Sequence, residues 1–252
     1  MENTEPDLSH YFEVARSVKH CAVLTGAGVS AESGMPTFRG EGGLWKEFRS
    51  EELATPEAFA RNPELVWEWY DYRRGILEGI EPNEGHRALA TAEKAFDNFT
   101  LITQNVDGLH QSAGNSDVVE LHGNIRRDRC NICDAYRSEG EGRHCRCGGP
   151  YRPDVVWFGE SLSQDSIAKG FEAAGSADLF FSIGTSTQVY PAAQLPFIAK
   201  DAGAFVVEVN PEPTQLTSLV NLSLQGPSGY WMPRLIEPLL DTAPDAAGED
   251  LI

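Results

Sequence analysis

Lysine is scarce in this chain of 252 residues: it occupies 5 positions (Lys19, Lys46, Lys94, Lys169, Lys200) against 15 arginines, and 38 Asp and Glu carry the formal charge to −18. Such a field repels phosphate backbones and anionic lipid surfaces, which excludes a general nucleic-acid binder and a membrane-surface protein. Long apolar runs are missing too. None reaches the ~18–20 residues of a membrane-spanning helix, and the opening MENTEPDLSHYFEVARSVKH has neither the basic start nor the apolar stretch of a signal peptide. A soluble, cytoplasmic chain is expected. Cysteine is limited to 5 positions, four of them between Cys130 and Cys147, and in a reducing compartment that clustering favours metal over disulfides. What remains, at 41% hydrophobic, suffices for a full core in one or two domains.

The apolar residues that are present come in short runs that stop at glycine or polar clusters. Cys21 to Thr25 halts at Gly26-Ala27-Gly28-Val29-Ser30-Ala31, and FTLITQNVDG (99–108), DVVELHG (117–123), DLFFSIGTS (178–186) and AFVVEVNPE (204–212) repeat the pattern. Each reads as a parallel strand buried on both faces, with a functional loop at its carboxyl end. Helical patterns lie between several of them, including His86 to Asp97 and Pro191 to Ala202. The fold class expected is therefore α/β, a doubly wound parallel sheet whose ligands bind beyond the strand carboxyl ends. Two stretches break the alternation and are expected to build a smaller inserted domain: 34–85, which runs into the helical PELVWEWYDYRRGIL, and the polar 124–153.

Gly26-x-Gly28-x-x-Ala31 after a strand matches the dinucleotide fingerprint, in which glycine lets backbone approach a pyrophosphate. A tight strand-to-helix turn with no ligand explains it equally well. The acidic residue ~20 positions on, at the end of the next strand, is missing, since the next strand candidate starts near Phe99; a cofactor would sit differently from that of an ordinary dehydrogenase. Cys130-x2-Cys133 and Cys145-x-Cys147 supply four thiolates on two knuckles, suited to a closed and hence structural zinc site. The segment lacks an apolar core, so metal would supply its folding energy. His144 competes with its neighbour Cys145 for one position. His122 follows Val118 to Leu121 at a strand's carboxyl end and is the general-base candidate among 6 histidines. Gln104-Asn105-Val106-Asp107 offers amides and a carboxylate able to hold a carboxamide, or else an Asx turn. Tyr70 and Arg73 share a helix face and can converge on one anion. Taken alone, a packed aromatic face with Arg73 and Arg74 solvated beside carboxylates is the simpler account.

GAGVSAESGMPTFRG, TQNVDGLH, ELHG, the C-x2-C and C-x-C pairs, VVWFGE, IGTS and VNPE stand in an order and at spacings that closely resemble the sirtuins, NAD-dependent protein lysine deacylases. The likeness spans nearly the whole chain. It implies a Rossmann-type NAD-binding domain from 1–33, 86–123 and 154–252, with a small domain of a cofactor loop and helical module (34–85) and a zinc module (124–153). It assigns Gly26, Ala27, Gly28, Phe38 and Arg39 to the cofactor loop, and Gln104, Asn105 and Asp107 to the nicotinamide pocket. Gly184, Thr185 and Ser186 are similar to phosphate and ribose contacts, Asn210 and Glu212 to residues beside the adenine, and Gly229 to a further adenine contact. Val156, Trp157, Phe158, Gly159 and Glu160 resemble the strand that pairs with substrate backbone. Cys130, Cys133, Cys145 and Cys147 hold one Zn2+ in this reading.

Two departures from the commoner pattern, Thr37 before Phe38-Arg39 and the Tyr70-x-x-Arg73 pair, resemble the branch that removes succinyl or malonyl groups, with Ala54 as the small residue that gives the longer acyl chain room. The resemblance thus reverses the simpler account of Tyr70 and Arg73. In the chemistry it implies, the acyl oxygen attacks C1′ of the nicotinamide ribose as nicotinamide leaves, its carboxamide held by Asn105 and Asp107. His122 then acts as general base on the ribose hydroxyls, allowing attack on the alkylimidate, and water completes release of free lysine and 2′-O-acyl-ADP-ribose. The partners implied are acyl-lysine proteins or peptides. Alternatives are a mono-ADP-ribosyltransferase and a non-catalytic NAD sensor. The acidity, with arginine kept and lysine scarce, resembles adaptation to high salt.

Overall fold

The computed structural model describes residues 6–35, 53–138 and 141–240. Six strands form one wholly parallel sheet: β1 (His20–Thr25), β2 (Asn98–Thr103), β3 (Val118–Glu120), and, after a separate ribbon, β6 (Leu179–Ile183), β7 (Phe205–Asn210) and β8 (Leu222–Gln225). Their order is β3-β2-β1-β6-β7-β8, so the winding reverses between β1 and β6, the crevice where open α/β sheets take their ligands.

The period of two along each strand sorts the core into two layers. Val23, Leu101, Phe181 and Val207 pack with Leu89, Trp231 and Leu235 on one face, while Ala22, Leu24, Ile102, Phe180 and Val206 meet Ala174 and Leu195 on the other. Each fully buried Val, Leu, Ile or Phe among them contributes about 1.5–3 kcal/mol. The first layer is made by α1 (Ser9–Ala15), α5 (Glu84–Ala95) and α9 (Ser228–Leu240), the second by α7 (Gln164–Ser176) and α8 (Leu195–Asp201). Pro191 to Ala202 is thus not one helix: it begins as a 3-10 turn at Ala192–Gln194 before α8.

A third core lies apart. α3 (Pro56–Arg61) and α4 (Pro63–Leu77), each capped by the residue before its leading proline, pack Phe59, Val66, Trp67, Trp69 and Tyr70 against Val106, Ile125, Tyr151 and Trp157. The last group belongs in part to an antiparallel ribbon of β4 (Gly123–Cys130) and β5 (Tyr151–Val155). The polar cysteine segment has few apolar residues: Ile125 and Tyr151 are buried against the helical module, while Ile132 and Tyr136 stay exposed. Val156 to Glu160, expected as a strand, is a turn here. The Glu160 carboxylate folds back to accept from the Trp157 N–H at 2.8 Å, and Gly159 has φ +88°, which takes the segment out of extended backbone.

Candidate active site

Two glycine loops cross at the switch point. Gly26 N–H donates to Ile183 O at 3.0 Å and Gly28 N–H to Gly184 O at 2.8 Å. A Cβ on Gly28 would lie 2.7 Å from Gly184 Cα, and one on Gly184 would lie 2.4 Å from Val29 N, with Gly184 also at φ +59°. Backbone contact this close requires glycine on both sides. The crossing puts Ala27 at the start of the short helix α2 (Gly28–Ala31) and Thr185 and Ser186 beside it, the cradle that a dinucleotide needs.

β2 ends in Gln104-Asn105-Val106-Asp107, and the structure gathers its three polar side chains while Val106 packs into the third core. Gln104 bridges three elements: its N–H donates to Thr25 O at 3.0 Å, its Nε2 donates to Thr185 Oγ1 at 3.0 Å, and its carbonyl accepts from His122 Nδ1 at 2.8 Å. A carbonyl only accepts, so Nδ1 carries the proton and Nε2 of neutral His122 keeps its lone pair. Burial lowers the His122 pKa below the ordinary 6.5, with the bond to Gln104 partly opposing. Asn105 Nδ2 donates to Gly26 O at 3.0 Å and Ser30 Oγ at 3.2 Å, leaving Oδ1 as the group it can offer. Asp107 accepts from Leu109 N–H at 3.0 Å and from Ser30 Oγ at 2.8 Å, so the Asx turn is present in addition to the buried carboxylate. Burial raises the Asp107 pKa; those two bonds, then Arg126 and Arg73, pull against it.

Beneath this quartet lies a network the sequence reading passed over. Ser30 Oγ lies 3.4 Å from His86 Nε2, whose Nδ1 accepts from Asn83 N–H at 3.3 Å. His110 Nε2 lies 3.0 Å from Thr25 Oγ1, which donates to Thr103 Oγ1 at 2.8 Å. The two imidazole rings lie 4.8 Å apart between centroids, tilted by 56°. Burial pushes His86 down to about 4 and His110 well below its ordinary value, and each neighbouring cation would add repulsion. Asn83 to His86, a capping box at the start of α5, was the one local signal that something fixed this imidazole.

The helical module faces the same crevice. Arg73 is buried at 4% exposure and Tyr70 at 1%, with the Arg73 guanidinium 4.8 Å from the Trp69 ring and 5.5 Å from that of Tyr70. Solvated pairing of Arg73 is thus overturned, since helix packing turns it inward. Arg74 is the outer one, donating to Asp128 Oδ1 at 2.6 Å and to Ile125 O at 2.6 Å. Burial lowers the Arg73 pKa, opposed by Tyr70 and Asp107. Tyr70 accepts from Trp157 Nε1 at 2.9 Å, and Phe158 N–H donates to Ala54 O at 2.9 Å, which joins the helical module to the 156–160 segment. Asn210, at the end of β7, donates to Glu212 O at 2.6 Å, and the Gly229 N–H donates to Glu32 Oε2 at 2.7 Å. Phe38 and Arg39 lie outside the described residues.

Cys130, Cys133, Cys145 and Cys147 place all four sulfurs within 4.8 Å of one another, with Sγ–Sγ distances of 3.5 Å for Cys130–Cys147 and 3.7 Å for Cys133–Cys145. Tetrahedral Zn–S bonds of about 2.3 Å put sulfurs about 3.8 Å apart, so the donor set fits one zinc ion. Exposed His144 is not part of it. No helix among the described residues is long and apolar enough to cross a membrane.

A Sir2 family profile matches residues 26–191. A curated NAD-dependent protein deacylase of Aquifex aeolicus (strain VF5) is 56% identical over 206 residues, 79% of this chain and 86% of that one. Another of Thermococcus kodakarensis is 46% identical over 248 residues, covering 93% and 96%. Among solved structures, a Sir2 homolog–NAD complex superposes with a TM-score of 0.86 at 41% identity, covering 96% of each chain, and a Sir2–p53 peptide–NAD+ complex with 0.81 at 29%, covering 92% and 98%. With the crossing glycine loops, the Gln104 to Asp107 segment, His122 and the four-cysteine cluster in one molecule, the chain belongs to the Sir2 family.

Proposed function

We propose that this protein is an NAD-dependent protein lysine deacylase whose acyl pocket takes acids, succinyl and malonyl, besides acetyl. The observation that carries the acidic preference is Arg73: an arginine at 4% exposure, beside a buried tyrosine and close enough to Asp107 to interact with it. A carboxylate on the acyl chain would meet it in a low-dielectric site, where a charge-assisted bond is strongest. Buried Ala54 leaves space along the chain.

Bound NAD supplies an electrophilic ribose carbon as nicotinamide departs. The residues prepare for that event by being fixed. Asn105, with both amide hydrogens engaged, presents Oδ1 to the carboxamide N–H, and Asp107 is locked beside it by Ser30. His122 Nε2 is free to take a proton from a ribose hydroxyl, and burial keeps it unprotonated near neutrality. Gly26, Ala27 and Gly28 with Gly184, Thr185 and Ser186 take the phosphates and adenosine ribose. Asn210, Glu212 and Gly229 lie on the adenine side, and the turn Val156 to Glu160, with Phe158 exposed at 57%, borders the acyl-lysine peptide. Zinc held by the four cysteines folds the ribbon and touches no reacting atom. The domain division, Rossmann-type segments with 34–85 and 124–153 as the small domain, accounts for the separate third core.

The protein works in the cytoplasm, and its acidity fits a high-salt interior; full stability and activity at low salt contradict the latter. The function itself is tested by nicotinamide release with acetyl, succinyl and malonyl versions of one peptide. Release that requires the acyl peptide and is faster with the acidic chains is expected. Release without peptide, or label from NAD that stays on protein, would point to a sensor or an ADP-ribosyltransferase instead.

A further inference from the structure

The distal end of the acyl pocket has a polarity that is set from behind. Tyr70 accepts the indole N–H of Trp157 at 2.9 Å, and an indole nitrogen can only donate. The phenolic oxygen therefore has its acceptor side engaged, and its own hydrogen must go elsewhere. No described residue takes it, although Tyr70 is 1% exposed, and burial raises its pKa so that the proton stays on.

Trp157 has no latitude to swing away. Its ring stacks on the Arg152 guanidinium, whose carbon lies 3.2 Å from the ring centroid, and touches Phe59 at 5.2 Å between centroids. Its backbone N–H donates to Glu160 Oε2 at 2.8 Å, and Glu160 is in turn paired with Arg152 at 2.5 and 2.9 Å. Arg152 is 1% exposed and also donates to Val155 O at 2.8 Å. An ion pair thus holds an indole, the indole holds a phenol, and the phenol's hydrogen is left for an acceptor that neither Trp157 nor Arg73, whose guanidinium carbon lies 5.5 Å from the phenol ring centroid, can supply, since both only donate.

We infer that Trp157 is a positioning residue that makes the Tyr70–Arg73 end of the pocket purely hydrogen-bond donating, so that the enzyme selects acyl chains ending in a carboxylate against isosteric chains ending in a carboxamide. The inference rests on the reading that Tyr70 and Arg73 receive the acyl terminus. A carboxylate offers acceptors to both groups. A carboxamide must turn its NH2 toward one of two donors, and a buried donor left unpaired costs about 10- to 100-fold in affinity.

The test compares one peptide carrying succinyl-lysine or succinamyl-lysine, with the acetyl peptide as reference, on the zinc-loaded full chain. Wild type is expected to favour the acid over the amide in kcat/KM by about tenfold or more. Trp157→Phe keeps an aromatic ring but frees the Tyr70 oxygen to accept, so the acid-to-amide ratio should fall about five- to tenfold beyond any loss common to all three peptides. A ratio unchanged in Trp157→Phe overturns the inference. Should that variant not fold, Tyr70→Phe decides: a greater loss on the succinyl than on the succinamyl peptide supports it, and equal losses overturn it. If Arg73→Met and Tyr70→Phe both leave succinyl turnover untouched, the acidic-acyl reading beneath it fails as well. A Trp157→Phe ratio at the wild-type value with Arg73 still required refutes the positioning role alone.

Discussion

Beneath Asn105 and Asp107 the polar groups are hydroxyls, amides and two neutral imidazoles, linked by hydrogen bonds that leave His110 Nδ1 unpaired among the described residues. Along the β4–β5 ribbon they are arginines and carboxylates: Arg127 with Glu120 and Asp154, Arg129 with Asp154 and Asp134, Arg137 and Arg74 with Asp128, Arg143 with Asp71. The floor lies under a parallel sheet where an unpaired charge is prohibitively costly, so the fold drives histidines to stay neutral. The ribbon has little apolar material and a wet outer face, so charge pairs and the four thiolates organise it instead. Among the described residues no lysine joins these pairs. Arginine's planar fork meets carboxylates at two points and is less strongly hydrated, which gives the scarcity of lysine a local structural correlate.

The contrast is broken most severely at the boundary between the two regions, at His122. Replacing it with alanine removes the group whose Nε2 is left basic, and turnover should fall by ~10²-fold or more while NAD still binds; near-normal turnover would remove His122 from the chemistry. Because burial lowers its pKa below 6.5, the acid limb of kcat/KM should lie below that pH, and a limb above it would contradict the burial account.

The floor is tested next through stability. His86 is held near pKa 4 in the folded protein against 6.5 for a free imidazole. Between those values the unfolded chain binds a proton that the folded one refuses, so stability should be full above pH 6.5 and decline as the pH falls toward 4. The loss is about 3 kcal/mol on complete protonation. His86→Asn should flatten that slope in thermal melts across this window, and an unchanged slope would assign it to other groups. The smallest effect belongs to the ribbon. Arg129→Gln removes pairs to Asp154 and Asp134, the latter exposed, and should cost under ~1 kcal/mol at low salt and less in molar salt. A loss that persists in molar salt would mean the pair is not screened as its exposure requires.

Legibility in the sequence followed the same division. β1, β2, β6 and β7 were plain because strands covered on both faces are apolar throughout, and the four cysteines were plain because knuckle spacing is local. β8, with two half-buried positions among its four residues, carries little periodicity, and α9 contains Pro233 and Pro238 within a helix, against its own local propensity. Ser30, His86 and His110 were invisible as a unit because they are assembled from three distant segments. Read from local pattern alone, Arg73 looks like surface; the family resemblance turns it toward a substrate carboxylate, and the packing of α4 against Trp157 and Val106 buries it. The turn at Val156 to Glu160 was hidden for the opposite reason: its apolar start reads as strand, while the Glu160 carboxylate reaching back decides the backbone.

The claim on which the functional account turns is that Arg73 receives the carboxylate of an acidic acyl chain. Steady-state kcat/KM of wild type and Arg73→Met on succinyl and acetyl versions of the same peptide tests it directly. The account predicts a loss on the succinyl peptide at least tenfold larger than on the acetyl peptide, consistent with removal of a buried charge-assisted bond; equal losses on the two would contradict it.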